Sequence, residues 1–384
     1  MKLCEALIAD TAELEAAGRL RVLREIVPDS SGFCRYDNRR YLNFSSNDYM
    51  GIAADFKLRQ EFYAQYSDIG AAELALSSAS SRLLTGNTPA YTRLEKKLSV
   101  LYNSRAALVF NSGYHANIGI LPALSNSKDL ILSDKLNHAS IIDGMRLADA
   151  EFKRFRHLDY EQLEKILAEN RAKYSRVFIV TESIFSMDGD AADLCKLVEL
   201  KQKYDCVLYV DEAHSVGVRG PSGTGIAAEL GIADQIDVLI GTFGKAFGST
   251  GAYAITSPEL RIYLINHMRP FIFTTGLPPV VLNWSCFVLD SCAKMDSERA
   301  KLRRMGIALR EIFGASTLPG DSQIVPFLIG DDRDAVAKAK YFLDNGILVF
   351  AIRPPTVPPN GARLRFSLSA ALPESAITEL RRLI

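Results

Sequence analysis

Six short apolar runs recur along the chain between helical stretches: AALVF (106–110), DLILS (129–133), VFIVT (177–181), CVLYV (206–210), DVLIG (237–241) and GAYAI (251–255). None alternates apolar with polar residues, so each is predicted to be a strand covered on both faces. Strands of that kind, separated by helices, imply an α/β fold with a mostly parallel central sheet. After FIFTTGLPPV (271–280) the pattern changes. A long helical stretch from about Val280 to Phe313 is followed by VPFLIG, ILVFAI and RLRFSLS, with one helix between the first two. Three regions are therefore expected: residues 1–45 as an N-terminal helix and short strand segment, 46–278 as a large domain, and 279–384 as a smaller α+β domain.

Composition limits what such a fold can bind. The 384 residues hold 45 basic and 45 acidic side chains, a formal net charge of zero, whereas proteins that track phosphate backbones concentrate positive charge. No nucleic-acid partner is expected. The N-terminus spreads acidic residues through a helical pattern, unlike a secretory leader or a membrane span, so the chain is expected in the cytoplasm with no membrane partner. Six cysteines (Cys4, Cys34, Cys195, Cys206, Cys286 and Cys292) form no CxxC pair and read as buried small hydrophobes in a reducing compartment, with no metal site.

In doubly wound sheets, ligands sit beyond the C-terminal ends of the strands. That rule gathers the polar tails of the runs: Asn111-Ser112-Gly113, Asp134 to His138, Glu182 to Ser186, Asp211 to His214, and Thr242 to Lys245. One tail, VDEAHSVGVRG (210–220), looks like the magnesium-binding strand end of an ATP-driven helicase. A motor also needs G-x-x-x-x-G-K-[ST]. The one candidate, GTFGKAFGST (241–250), has Ala246 after Lys245 and no glycine five residues before Gly244. No G-x-G-x-x-G follows a strand either.

A lysine between glycines at a strand end, beside a strand carrying an acid and a histidine, fits a different chemistry. Lys245 is a natural Schiff-base nucleophile, and pyridoxal phosphate is the cofactor commonly held this way, with a carboxylate on its pyridine nitrogen. Asp211 is the candidate carboxylate, and His214 the partner of the phenolic oxygen. Gly113 and Tyr114, at a glycine turn before a helix, offer amides to the phosphate, with Thr242 adding a hydroxyl. His138 is read as stacking on the ring, against the plain alternative of a capping or core histidine. His115, His157 and His267 are read as structural.

Nine stretches carry a wider likeness: NFSSNDYMG, SRLLTGN, NSGYHANIG, DKLNHASIIDG, TESIFSMDGD, VDEAHSVGVRG, GTFGKAFGSTGAY, FIFTTGLPP and AIRPPTVPPNGARLRFSLSA. In this order they resemble the α-oxoamine synthases, fold-type I pyridoxal-phosphate enzymes, over nearly the whole chain. The resemblance implies Lys245, Asp211, His214 and His138 in the roles above, Ser186 near the phenolic oxygen and Ala213 against the other ring face. It implies a homodimer with shared sites, in which Thr275 reaches the neighbouring subunit's phosphate, and Asn47 and Arg365 on the carboxylate of the substrate amino acid. The tail AIRPPTVPPNGARLR resembles the branch that joins L-alanine to a pimeloyl thioester in biotin synthesis. Branches that take glycine, or that cleave β-hydroxy amino acids, would share the same clamp. Arg353 is read as holding the far carboxylate of the acyl chain or the departing carboxylate, and Arg21, in an arginine-rich N-terminal run, as closing over the thioester, against the plainer alternative of a helix-surface arginine. The chain departs from the family pattern at Ser78-Ala79-Ser80-Ser81-Arg82, in place of GxGGSR, at Tyr91 in place of histidine and at Asp193 in place of proline.

Overall fold

The structure is a computed structural model that describes residues 2–29, 31–68 and 70–384. Two compact units divide the chain. The smaller holds residues 1–55, 186–190 and 297–384; the larger holds 56–185 and 191–296.

In the smaller unit, helix Lys2–Ala16 precedes three strands, β1 (Val27–Pro28), β2 (Phe33–Tyr36) and β3 (Arg39–Asn43). In the larger unit, β4 (Ala106–Phe110), β5 (Leu130–Asp134), β6 (Glu151–Phe155), β7 (Val177–Glu182), β8 (Val207–Asp211), β9 (Val238–Thr242) and β10 (Ala252–Thr256) form one sheet in the order β4-β10-β9-β8-β7-β5-β6. Six of these strands lie within one residue of the predicted runs. Strand β10 is antiparallel to both neighbours, and the remaining pairs are parallel. The C-terminal ends of β4, β5, β7, β8 and β9 therefore face the same way, as the convergence of polar tails requires. Strand β6 was not predicted. Its sequence, EFKRF, mixes charges into an edge strand paired on one side only, and such strands lack the apolar run that marks a covered one.

Helix Gly113–Leu124 packs on β4, β9 and β10. Ile120, Ile131, Val180, Tyr209, Ile240 and Ala254 meet in one buried cluster beneath it. Packing of this kind is the main stabilising term, about 25 cal/mol per Å² of apolar surface removed from water.

The C-terminal strands β11 (Ile324–Gly330), β12 (Ile347–Leu348), β13 (Ala351–Ile352) and β14 (Ala362–Ser367) return to the smaller unit. The run ILVFAI is split between two sheets: β12 pairs in parallel with β3, and β13 lies antiparallel to β14. The first pairing makes the N-terminal segment part of the smaller unit. Phe366 contacts Phe44, Phe313 and Phe342 at centroid distances of 5.1–5.6 Å and anchors that unit's core.

Two expectations are corrected. The larger unit ends at Asp296, beyond the expected boundary at 278, because helix Pro279–Cys292 packs on helix Pro89–Leu101 within it. Cys34, Cys206 and Cys292 are buried, but Cys4 and Cys195 are exposed and Cys286 is half-buried. Cys4 and Cys195 sit on the solvent faces of helices Lys2–Ala16 and Leu194–Tyr204. The departures from the family pattern have local reasons. Ala79 takes a left-handed φ of 51°, a conformation glycine adopts without the Cβ penalty. Tyr91 is fully buried with the Arg82 guanidinium 3.8 Å above its ring. Asp193 caps helix Leu194–Tyr204, accepting from Lys196 N at 2.9 Å.

Candidate active site

Five strand ends of the larger unit line one cleft of about 160 Å³. Eight residues singled out from sequence are in its lining: Gly113, Tyr114, His138, Asp211, Ala213, His214, Thr242 and Lys245. Asn117, Ser140 and Glu182 complete it, and no role was assigned to them from sequence.

Asp211 ends β8 and is 5 % exposed. Its Oδ1 accepts from Ala213 N at 2.9 Å and its Oδ2 from Asn117 Nδ2 at 2.8 Å. Both carboxylate oxygens are therefore held in place. Lys245 Nζ and His214 Nε2 stand 2.7 Å apart, so one of the two nitrogens offers a lone pair to the other. His138 caps helix Ala139–Leu147, as the plainer reading had it, and is also a wall of the cleft. Burial lowers its pKa below 6.5; Asp211 and Asp143 oppose that shift and Lys245 adds to it.

Glu182, 3 % exposed, accepts from His138 N at 2.5 Å. Burial first, then the charge of Asp211, pushes its carboxyl up to about 8, against the lowering effects of Lys245 and the His138 bond. At neutral pH it is mostly protonated. The sequence signal for such a group is weak: an acid directly after an apolar run, which also describes many capping residues.

At the helix start after β4, Ser112 caps by accepting from His115 N at 3.1 Å. The amides of Gly113 and Tyr114 belong to the first turn, where helix geometry provides no acceptor. A Cβ built on Gly113 would meet nothing within 4 Å, so the turn opens onto free space. Thr242 Oγ1 accepts from Gly244 N at 3.2 Å and donates to Gly251 O at 3.0 Å. Paired first-turn amides, a buried fixed carboxylate and a lysine in one cleft fit a flat, phosphorylated, nitrogen-containing aromatic cofactor.

Two of the predicted cofactor residues are not in the cleft lining. Ser186 lies in the smaller unit, buried, with its carbonyl accepting from Arg365 Nε at 2.5 Å. Thr275 is exposed, bridged to Ser81, and its carbonyl accepts from Asn111 Nδ2 at 2.8 Å. The three histidines read as structural have such partners. His115 meets Ser112 Oγ at 2.8 Å, His157 meets Asp134 at 2.9 Å, and His267 stacks on Tyr263 at 3.9 Å.

In the smaller unit, Arg365 is 8 % exposed and its Nη1 donates to Asn47 Oδ1 at 3.0 Å. The two residues expected on the amino-acid carboxylate thus meet. Arg353 donates to the Gly18 carbonyl, and Arg21 reaches Thr356 Oγ1 at 3.2 Å. Arg21 stands in the segment after the first helix, not on a helix surface. Arg353 also lines a cavity of about 500 Å³ with Arg24, Lys340 and the apolar Leu20, Leu348 and Phe350. Burial, then the charges of Arg21 and Arg24, lower the Arg353 pKa against the opposing charge of Asp332, which is itself paired with Arg19 at 2.7 Å.

The sequence pattern of the aminotransferase class I and II family matches residues 39–384. The chain belongs to that family, in its α-oxoamine synthase group. It is 50% identical over 383 residues to an 8-amino-7-oxononanoate synthase of Chlorobaculum parvum, covering 99% of this chain and 98% of the relative. A serine palmitoyltransferase from S. paucimobilis with a bound PLP–myriocin aldimine superposes with a TM-score of 0.88 at 28% identity, covering 98% and 95% of the two chains. An 8-amino-7-oxononanoate synthase from Francisella tularensis matches at a TM-score of 0.73 and 28% identity, over 89% and 95%. This α-oxoamine synthase is thus a fold-type I transferase, and its cofactor is pyridoxal 5′-phosphate.

Proposed function

We propose that the chain condenses L-alanine with a pimeloyl thioester of coenzyme A or of a carrier protein, releasing the thiol and carbon dioxide and leaving 8-amino-7-oxononanoate. The observation that carries this is the cleft itself: a lysine 2.7 Å from a histidine, in the same lining as a buried carboxylate with both oxygens fixed. Relatives that share about half their residues over nearly the full length carry the corresponding name.

When bound, pyridoxal phosphate supplies an electron sink for the pair released at the amino acid's Cα. Asp211 would hold the ring nitrogen, His214 and Ser186 the phenolic oxygen, His138 and Ala213 the two faces, and Gly113, Tyr114 and Thr242 the phosphate. Lys245 would hold the cofactor through its aldehyde, and its amine, when neutral, would take the Cα proton of the bound amino acid. His214 Nε2, 2.7 Å away, orients that amine and exchanges a proton with it. Arg365, steadied by Asn47 and Tyr49, holds the alanine carboxylate by charge-assisted hydrogen bonds. Arg21, Arg24 and Arg353 form a cationic group, with Glu15 in the lining of the cavity that Arg24 and Arg353 share, and the group suits the anionic ends of the acyl donor.

A homodimer in the cytoplasm is part of the proposal, with Thr275 completing the phosphate site of a second copy. Leu3, Leu7 and Leu14, all exposed, line one side of the first helix, the kind of surface a second copy covers. No described helix is long and apolar enough to cross a membrane.

The test is the visible spectrum of the purified protein titrated in parallel with L-alanine, glycine and L-serine. A yellow protein whose band responds at lowest concentration to alanine supports the reading. A preference for glycine moves the chain to a glycine-using branch. A protein that stays colourless with added pyridoxal phosphate overturns the site.

A further inference from the structure

A buried hydrogen-bonded chain joins Asp211 to His138. Asn117, 1 % exposed, gives one amide hydrogen to Asp211 Oδ2 at 2.8 Å and the other to Ser140 Oγ at 2.9 Å. Its Oδ1 accepts from the Tyr209 hydroxyl at 2.5 Å. Ser140, also 1 % exposed, stands with Oγ 2.8 Å from His138 Nδ1 and gives the same nitrogen its backbone N–H at 3.2 Å.

These bonds have one self-consistent direction. Tyr209 keeps its hydrogen, since burial and then the charge of Asp211 hold its phenol well above the usual range. A carboxylate only accepts, so the amide nitrogen of Asn117 must face Asp211; the reversed amide would set oxygen against oxygen there. Ser140 Oγ, already accepting from Asn117, turns its own hydrogen to Nδ1. His138 Nδ1 therefore receives two donors and carries no hydrogen.

We infer that Asn117 and Ser140 are positioning residues that hold His138 as the neutral tautomer with its hydrogen on Nε2. That leaves Nε2–H as the ring's one donor, offered from a cleft-lining residue to an oxygen of the bound substrate, a carboxylate or a forming ketone. The groups acting on the ring agree with a neutral imidazole. Asp211, Lys245 and Asp143 face it, Glu182 accepts its backbone N–H, and the net effect lowers its pKa, with burial the largest cause. The substrate's part in this rests on the active-site reading above. The tautomer does not, so the two can fail separately.

The tautomer is read by nitrogen NMR on cofactor-loaded protein labelled with ¹⁵N-histidine. The chain has five histidines, and His138→Asn identifies the ring in question. The expected wild-type signals are a protonated Nε2 and an unprotonated Nδ1. Ser140→Ala and Asn117→Ala should each lower the ratio of the two tautomers by about two- to tenfold, as loss of one hydrogen bond implies, and move the ring's titration upward. Tyr209→Phe, which removes only the hydroxyl that orients the amide, is the milder variant and should shift the signals in the same sense. A wild-type ring protonated on Nδ1, or signals left unchanged by Ser140→Ala or by both Asn117→Ala and Tyr209→Phe, overturns the inference.

Discussion

Glu182→Gln separates the charge of a buried carboxyl from its shape. Glu182 ends β7, 3 % exposed, and the glutamine oxygen can still accept from His138 N. In the folded protein the carboxyl is raised from 4.5 to about 8, chiefly by burial and then by Asp211. A folded pKa above the unfolded one means that the fold favours the proton. The stabilising contribution is fully present below pH 4.5 and is lost as pH rises towards 8. By proton linkage between those two values, the wild type loses on the order of a few kcal/mol through this group between pH 5 and pH 8. Glutamine does not titrate. Relative to wild type, Glu182→Gln should therefore gain about that amount across the interval. Urea unfolding of cofactor-stripped protein at pH 5, 6, 7 and 8 measures it. Glu212, pushed up to about 7 mainly by burial, adds its own slope to both proteins and cancels in the difference. Parallel stability curves for the two proteins would refute the reasoning.

Three further outcomes are expected. Asp211→Asn should still bind pyridoxal phosphate but turn over about 10³-fold more slowly: a carboxylate about 4 Å from the ring nitrogen favours its cation by roughly 4 kcal/mol at an effective dielectric near 20, and full activity in a steady-state assay would contradict this. Ala79→Gly removes a left-handed penalty of about 1–2 kcal/mol and adds unfolded-chain entropy worth about 0.4–1 kcal/mol. Its net gain of about 0.5–1 kcal/mol should appear as a raised denaturation midpoint. Arg353→Ala should raise KM for the acyl thioester about tenfold or more, the scale of a lost charged hydrogen bond, and leave KM for alanine unchanged; equal changes in both would place Arg353 elsewhere.

Much of the site is legible in the sequence because its residues sit at the ends of covered strands. An apolar run fixes where a parallel strand lies, and the strand end fixes which polar residues face the crevice. Asp211, His214, Thr242 and Lys245 could be read that way, as could the glycine turn at Gly113. Strand β6 was missed because an edge strand needs only one covered side and carries charges. The domain boundary was misjudged because a proline pair starts helix Pro279–Cys292 without showing what that helix packs on.

The sequence by itself determined six of the seven strands of the sheet, the polar residues at their ends and the cofactor chemistry those ends can hold, because each depends on local pattern and on residue type. Only the tertiary structure decided how the side chains share their protons. Asn117 is an ordinary helix residue until β8 sets Asp211 2.8 Å from its amide. His138 is a plain helix cap until Ser140 and Glu182 bind its ring and backbone. Glu182 is a common acid until burial and the neighbouring charge of Asp211 raise its pKa. The physical reason is the same in each case: hydrogen-bond direction and charge depend on neighbours up to 94 positions away in the chain and on the water excluded between them.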